Sequence, residues 1–331
     1  MKKFLTVSLI IFAISFFAGC EGNDGTRILR LALTNAPDSF ITSVADDFAA
    51  IVNSIPDSGL QVQVFPASQL GDQRDYVEGL RMGSLEMSLI ATGALEGFEP
   101  RFIIYSMPFL FETSAHMHRF YNSSMSQQLL DEFRISEGIR HLGMVDSGRR
   151  QVWTNNIEIN SIADFQRLNI RVPAVPIYIN MFAALNANPT PMGLGDVYTG
   201  VQTGIINSFE MEIVNFNSLR MHEVLDVANI TNHTYNIASL LISERVFTSL
   251  TPEQQEIVLN AAEEATRRGA VRFEVYEQSL YDELESLGVR TVTLSDSVLN
   301  EIRSILEGVA REQLGTMYDY EEFVNYVLAL R

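Results

Sequence analysis

Cysteine is almost absent from this chain, since Cys20 is the only one among its 331 residues. One thiol cannot form a disulfide within the chain. Because Cys20 precedes the first segment with a strand or helix pattern, it also cannot act as a nucleophile inside the folded part. Cysteine catalysis and disulfide stapling are therefore excluded.

Positive charge is scarce as well. The chain has 23 lysine and arginine residues against 41 aspartate and glutamate residues, and its formal net charge is −18. Proteins that bind nucleic acid present a basic face, so we predict no nucleic-acid partner. The acidity does not exclude a small anionic ligand, because two buried arginines can invert the local field while the surface stays acidic.

The short motifs that carry common catalytic chemistry are missing: His-Glu-x-x-His, the P-loop, Gly-x-Gly-x-x-Gly and Gly-x-Ser-x-Gly do not occur. His116 and His118 lie two residues apart on a segment predicted to be helical, so they point to different faces. We predict solvated surface for both, with a metal site as the disfavoured alternative. No acid–base pair emerges from the carboxylates, so we predict a protein that is not an enzyme and uses no cofactor or metal.

The N-terminus is typical of a targeting segment. Lys2 and Lys3 precede an apolar stretch over 4–17 that is shorter than a membrane span, which predicts a signal peptide over residues 1–19. The sequence Phe-Ala-Gly-Cys ending at Cys20 resembles a bacterial lipobox, although leucine is more usual than this phenylalanine. The resemblance implies lipidation of Cys20 and anchoring on the extracytoplasmic face of the cytoplasmic membrane, with secretion without a lipid as the alternative. The small polar residues over 20–27 predict a flexible tether.

What is present is a long, apolar chain with alternating patterns. Hydrophobic residues make up 47% of it, and its length is enough for two domains with a sizeable core. Short apolar or alternating segments separated by helical spacing predict an α/β fold with mainly parallel sheets. The predicted strands cover residues 28–33, 60–64, 87–91, 168–172, 205–209 and 238–243.

A strong helix start occurs at Thr251, which is followed by proline, glutamate and glutamine. No proline interrupts the chain from there to about Leu287, so we predict a helix about 50 Å long, at 1.5 Å per residue, that crosses two domains. Shorter helices are predicted at 72–82, where Gly83 ends the helix, at 176–185 and at 196–203. Another short helix is predicted to start at Ser161, which can form a capping box with Asp164. A last amphipathic helix is predicted to carry Leu299, Ile302, Leu306 and Val309.

Two arginines carry the chemical signal. Arg171 lies at the end of a short apolar strand closed by Pro173, where a planar fork of donors can grip a carboxylate. A structural salt bridge is the alternative for it. Arg150 and Arg149 are adjacent, so only one of them can face a cleft on an extended chain. The pair of Arg171 and Arg150 predicts a protein that holds a small organic anion, while Trp153 either caps the ligand or, as we favour, fills the core.

With these residues the chain resembles the extracytoplasmic solute-binding proteins of TRAP (tripartite ATP-independent periplasmic) transporters, the C4-dicarboxylate-binding DctP family. The resemblance runs from about residue 28 to about residue 295. Its matching segments are, in order, 65–72, 82–86, 107–111, 148–151, 170–173, 189–192, 196–198 and 231–235.

The resemblance implies a two-domain periplasmic-binding-protein-like fold of mixed sheets flanked by helices, with the ligand cleft between the domains and a long helix spanning both. The implied domains comprise residues 28–147 plus 236–275 and residues 148–235 plus 276–331. It also implies that Arg171 pairs with the ligand carboxylate, that the arginine of the Gly-x-Arg-Gln segment, Arg150, supports it, and that the protein is a monomer.

Departures from the family pattern bear on the ligand. The family often has Asp-Gly-x-Glu-Asn-Pro where this chain has Asn-Ser-Phe-Glu-Met-Glu over 207–212, so Met211 replaces an asparagine that commonly contacts the carboxylate. Sialic-acid binders carry a charged pair near the positions of Ala91 and Ala94, so sialic acid is disfavoured. With Phe209 and Met211 the pocket is expected to suit a compact or partly apolar acid. Further candidate polar contacts, each with a structural alternative, are Thr34, Asn35, Asp38, Thr92 and Tyr235.

Three functional hypotheses follow. The leading one is a lipid-anchored binding protein that captures a small organic acid, such as a C4-dicarboxylate or sugar acid, and delivers it to an ion-gradient-driven membrane permease. The second is a sensor component that presents its ligand to a kinase or chemoreceptor. The third, an extracytoplasmic enzyme on the same scaffold, is disfavoured by the missing motifs.

Overall fold

The computed structural model describes residues 25–331. The predicted signal peptide, the lipidation site Cys20 and most of the predicted tether lie outside the described residues. None of the helices formed by residues 25–331 is both long enough and apolar enough to span a membrane.

This part of the chain alternates strands with helices, as the sequence predicts. Its strands are β1 (Arg27–Ala32), β2 (Leu60–Phe65), β3 (Met87–Ala91), β4 (Ile139–Thr154), β5 (Asn169–Val172), β6 (Asn188–Pro191), β7 (Ser208–Glu212), β8 (Val227–Ile230), β9 (Tyr235–Ser243) and β10 (Arg290–Thr293). Its α-helices are α1 (Phe40–Asn53), α2 (Gln73–Met82), α3 (Ser114–Tyr121), α4 (Ser124–Glu137), α5 (Pro176–Ala184), α6 (Val197–Gln202), α7 (Ile213–Ser218), α8 (Glu244–Thr248), α9 (Pro252–Ser286), α10 (Asp296–Leu314) and α11 (Tyr320–Leu328). Short 3-10 helices cover Thr92–Gly97, Pro100–Ser106, Ile162–Arg167, Leu194–Asp196 and Met221–Glu223.

The strands form two mixed sheets that share β4. In the first sheet the order is β2-β1-β3-β9-β4, and β9 runs antiparallel to both of its neighbours. In the second sheet the later residues of β4 pair with β7 and β8, while β5 lies between β7 and β6 and β10 joins β8. The fold is therefore the predicted two-domain α/β architecture with mixed sheets; the exact domain bounds stay a prediction.

The long helix is confirmed as α9, with 35 residues. Thr251 and Gln254 form the predicted capping box at its start. Gly269 lies against Val44 of α1, where a Cβ would come within 3.0 Å of a valine methyl. Further along, the hydroxyl of Tyr281 lies 3.3 Å from the side-chain nitrogen of Gln151 in the second half of β4. The helix thus packs along both sheets.

Two local predictions are wrong. The strand predicted at 205–209 begins only at Ser208, because the amide of Ile206 donates to the carbonyl of Gly200 and prolongs the turn after α6. The helix that carries Ile302 and Leu306 is confirmed as α10, but it is not the last helix, because α11 follows it.

The predicted solvated surface at His116 and His118 is also wrong for His116. This side chain is 1% exposed, and its Nε2 donates to the carbonyl of Val327 at 2.9 Å. Docking of α11 therefore buries a histidine that sequence spacing alone placed outside. His118 is partly exposed, and its Nε2 donates to Asp146 at 2.8 Å.

Candidate functional site

Arg171 lies in β5 with its guanidinium buried, since the residue is 3% exposed. Its Nε and Nη2 donate to the carbonyl of Met192 at 2.9 and 2.7 Å, whereas Nη1 has no hydrogen-bond partner. Within residues 25–331 no carboxylate forms a salt bridge with it, so the structural salt bridge is not observed. Burial lowers the pKa of Arg171 to about 10, which still leaves the group charged at neutral pH. The site therefore holds a buried cation with an unused donor.

Arg150 lies in β4, and carboxylates of the same chain balance its charge. Register places it opposite Glu212 of β7, and its guanidinium forms salt bridges with both Glu210 and Glu212. Both carboxylates are 0% exposed. Burial alone would lower the pKa of Arg150, but the two carboxylates outweigh it and raise this pKa well above its usual value.

The strand β7 presents different chemistry on its two faces. Successive side chains of a strand point to opposite sides, so Glu210 and Glu212 face Arg150 while Phe209 and Met211 join a hydrophobic cluster. Sequence reasoning missed both glutamates. The Phe-Glu-Met-Glu alternation was the available signal, but their partner depends on the register between β4 and β7.

Trp153 belongs to the same hydrophobic cluster. It is 0% exposed, stacks on Phe216 with ring centroids 3.8 Å apart, and donates from Nε1 to the carbonyl of Met211 at 2.8 Å. This geometry favours the core role for Trp153 over the ligand cap. Phe209 lies closer to the charged groups, since its ring centroid is 6.0 Å from Arg171 Cζ.

His233 completes the charged cluster from the segment before β9. Its Nε2 lies 3.4 Å from Glu210 Oε2, and its Nδ1 lies 2.8 Å from the hydroxyl of Thr231. Burial lowers the pKa of His233 despite the neighbouring Glu210, so the ring is neutral at neutral pH. The same burial opposes ionisation of Glu210, but Arg150 and His233 outweigh it and hold the pKa of that carboxyl below its ordinary value.

Of the remaining predicted contacts, Asn35 is the one that the structure connects to this cluster. Its Nδ2 donates to Asn215 Oδ1 at 2.7 Å, and Asn215 donates in turn to Glu212 at 3.1 Å. A polar path therefore joins the loop after β1, in the first sheet, to β7 in the second.

The other predicted contacts bond elsewhere or lie at the surface. Thr92 shares a hydrogen bond of 2.7 Å with Ser239, and Tyr235 donates to Asp146 at 2.8 Å. Thr34 is partly exposed and Asp38 is exposed. Their roles as ligand contacts stay predictions.

Glu96 was not predicted but lies where the two domains meet. It belongs to the 3-10 helix after β3, is 7% exposed, and has the backbone N–H of Ile177 at the start of α5 beside its carboxylate. Burial raises the pKa of Glu96 to about 7, which this N–H only partly opposes. The next residue, Tyr178, places its ring 4.7 Å from Arg150 Cζ. Ser106 is buried beside the ring of Tyr178.

The buried charged cluster thus comprises Arg150, Glu210, Glu212 and His233, and its charges act on the pKa of the buried Arg171. In the part of the chain that the structure describes, no group of three or more His, Cys, Asp or Glu side chains is placed to hold a metal ion. A surface groove of about 570 Å³ lies elsewhere, beside Arg140 and Thr266, and shares none of the residues of this site.

Comparison with known proteins identifies the family of the chain. The family model described as "Bacterial extracellular solute-binding protein, family 7" matches residues 31–315. The 2,3-diketo-L-gulonate-binding periplasmic protein of Escherichia coli is 25% identical over 309 residues, which are 92% of this chain and 94% of that protein. A solute-binding protein of Roseobacter denitrificans is 28% identical over 280 residues, 80% of this chain and 85% of its own.

Solved structures show the same fold. A TRAP periplasmic solute-binding protein from Bradyrhizobium, in complex with galacturonate, superposes with a TM-score of 0.84 at 28% identity, covering 92% of this chain and 100% of that one. A sugar-acid-binding protein from Advenella mimigardefordensis, in complex with galactonate, reaches a TM-score of 0.87 at 22% identity, covering 92% and 97% of the two chains.

Proposed function

Because the chain belongs to bacterial extracellular solute-binding protein family 7, we propose that it captures a small organic acid outside the cytoplasm and delivers it to the membrane permease of a TRAP transporter. One observation carries the chemistry: the buried guanidinium of Arg171 keeps Nη1 without a partner. A carboxylate is the partner that matches this donor in charge and geometry.

In this mechanism Arg171 pairs with the ligand carboxylate, and the cluster around Arg150 holds the site in shape. Glu210 and Glu212 hold the guanidinium of Arg150 in place. The side chain of Arg150 therefore loses no conformational freedom when the ligand binds, and its positive charge supports the site. The ligand favours the closed arrangement only as far as it binds that arrangement better than the open one. The galacturonate and 2,3-diketo-L-gulonate named for relatives support a carboxylate as the ligand class.

The family assignment favours transport over the sensor alternative, since its named members are solute-binding proteins. We further propose that the chain turns over no substrate, works as a monomer and is anchored by a lipid on Cys20. The two domains would then close as units comprising residues 28–147 plus 236–275 and residues 148–235 plus 276–331.

The test is a thermal-shift screen of residues 21–331 against C4-dicarboxylates, sugar acids, 2-oxo acids and aromatic acids. A ligand at about 100 times its Kd stabilises the native state by roughly 2.7 kcal/mol, which clearly raises the midpoint temperature of thermal unfolding. We expect at least one acid to do so, and the effect to disappear in Arg171→Ala.

Arg167→Ala is the matched control, because Arg167 is an exposed arginine that pairs only with Asp164 nearby. It should keep the full shift. A hit that survives in Arg171→Ala, or a folded protein that no acid stabilises, would contradict carboxylate capture at this site.

A further inference from the structure

A hydrogen bond between two asparagine side chains joins the two sheets. Asn35 lies in the loop after β1 of the first sheet, and Asn215 lies in α7, which directly follows β7 of the second. The Nδ2 atom of Asn35 donates to Oδ1 of Asn215 at 2.7 Å. The two residues belong to different proposed domains, so this bond connects one domain to the other.

Glu212 fixes the direction of this hydrogen bond. Its carboxylate forms a salt bridge with Arg150, and an ionised carboxylate can only accept hydrogen bonds. Asn215 therefore turns Nδ2 towards Glu212 Oε2, at 3.1 Å, and keeps Oδ1 for a donor. The side chain of Asn236 also donates to Glu212. Because three groups hold Glu212, the Oδ1 acceptor of Asn215 has a defined position.

The donor on the first sheet is also held in place. The carbonyl of Asn35 accepts a hydrogen bond of 2.7 Å from the N–H of Ala67, in the loop after β2. Ala67 and Ser68 have φ angles of +53° and +58°, a left-handed conformation that is unfavourable for residues other than glycine. Strain of this kind persists where the surrounding structure enforces it, often at functional positions. The loop thus presents Asn35 from a fixed backbone.

The two sheets also approach each other at Tyr178. This residue lies near the start of α5, which follows β5 of the second sheet, and its ring centroid lies 4.7 Å from Arg150 Cζ. A Cβ on Gly93, in the 3-10 helix after β3 of the first sheet, would lie 3.8 Å from the same ring. The described arrangement is therefore closed at two places, and the contact at Asn35 depends on a matched donor and acceptor.

We propose that Asn35 and Asn215 form a latch that stabilises the closed arrangement of the two domains before a ligand binds. One hydrogen bond of ordinary strength shifts the ratio of closed to open molecules by about ten-fold. A larger closed fraction raises the apparent affinity for a ligand that binds the closed arrangement. The inference rests on the proposed function, because closure serves the capture of a ligand.

The experiment measures closure directly and needs no ligand. Residues 21–331 contain no cysteine, so two introduced cysteines can carry a pair of spin labels. Gln69, after β2, and Thr199, on α6, are exposed and place one label on each side. Double electron–electron resonance then gives different label-to-label distances for closed and open molecules. We expect the distance that matches the described arrangement to dominate.

The variants remove the latch one atom group at a time. Asn35→Asp keeps the shape of the side chain but removes the donor, and should lower the ratio of closed to open molecules about ten-fold. Asn215→Ala removes the acceptor and should also open the protein. Adding Asn35→Asp to Asn215→Ala should open it no further, because the two residues share one bond. Asn217→Ala, on another face of α7, is the matched control and should leave the distances unchanged.

The outcomes separate the latch from ligand capture. A labelled protein that is mostly open, an Asn35→Asp variant that stays closed, or additive opening by the two substitutions would each overturn the latch. None of these results touches carboxylate capture, since no ligand enters the measurement. Conversely, failure of every acid in the thermal-shift screen would remove the role of the latch in capture, but not the latch itself.

Discussion

Arg171 and Arg150 are both buried but differ in how their charge is met. Arg150 has two glutamates of its own chain, and Arg171 has a backbone carbonyl and an unused donor. The sequence placed Arg171 correctly on a short buried strand. It could not predict the partners of Arg150, because a one-residue change in the register of β7 would turn Glu210 and Glu212 to the opposite face.

Glu96 predicts a pH dependence of stability. Its pKa is raised from 4.5 to about 7 by burial, so the native state binds its proton more tightly than the unfolded state does. The resulting stability is fully present below pH 4.5 and is lost as the pH rises through 7. The ligand-free protein should lose up to about 3 kcal/mol of unfolding free energy across this window, relative to Glu96→Gln.

Urea unfolding at pH 4.5, 6 and 8 measures this difference, and comparison with the variant cancels the groups that titrate in both proteins. Parallel pH profiles for the two proteins would show that Glu96 keeps an ordinary pKa in the native state.

At the scale of elements, local signals predicted most helices and strands because caps, prolines and glycines mark their ends. The helix after Asp72 ends at Gly83, whose φ is +72°, and α9 starts at its capping box. The failures are long-range. The burial of His116 depends on α11, more than 200 residues away along the chain, and the periodicity of α3 contains no information about that contact.

Gly148 offers a test at this scale. It lies at an irregularity of β4, near the point where this strand leaves β9 and meets β7, with φ at +99°. A Cβ there would come within 2.9 Å of the ring of Phe273 in α9. We expect Gly148→Ala to destabilise the protein by more than about 1 kcal/mol, since both backbone strain and a clash oppose it.

The control is Gly308→Ala. Gly308 is exposed within α10, and a Cβ there meets nothing within 4 Å. Alanine is the better helix former, so this change should stabilise by about 1 kcal/mol. Denaturant midpoints for the two variants should move in opposite directions; a neutral Gly148→Ala would show that β4 tolerates a side chain at this position.

At the scale of the whole molecule, the predicted lipid on Cys20 would anchor the protein to the membrane and so determine its localisation. Expressed in a bacterium with its native N-terminus, the wild type should sediment with membranes and yield an N-terminal peptide carrying the mass of a lipid on Cys20. Cys20→Ala should release the protein, whereas Asn23→Ala, a change in the tether, should not. An unmodified N-terminal peptide from the wild type would favour secretion without a lipid.

β4 belongs to both sheets and α9 packs along both of them, and this continuity has a mechanical consequence. Where domains are joined by loops, they rotate freely about a few bonds, but a strand of 16 residues and a helix of 35 must flex along their length. Closure of the two proposed domains around a ligand would therefore bend both elements. Part of the binding free energy would be stored in this deformation and would favour reopening when the ligand is released.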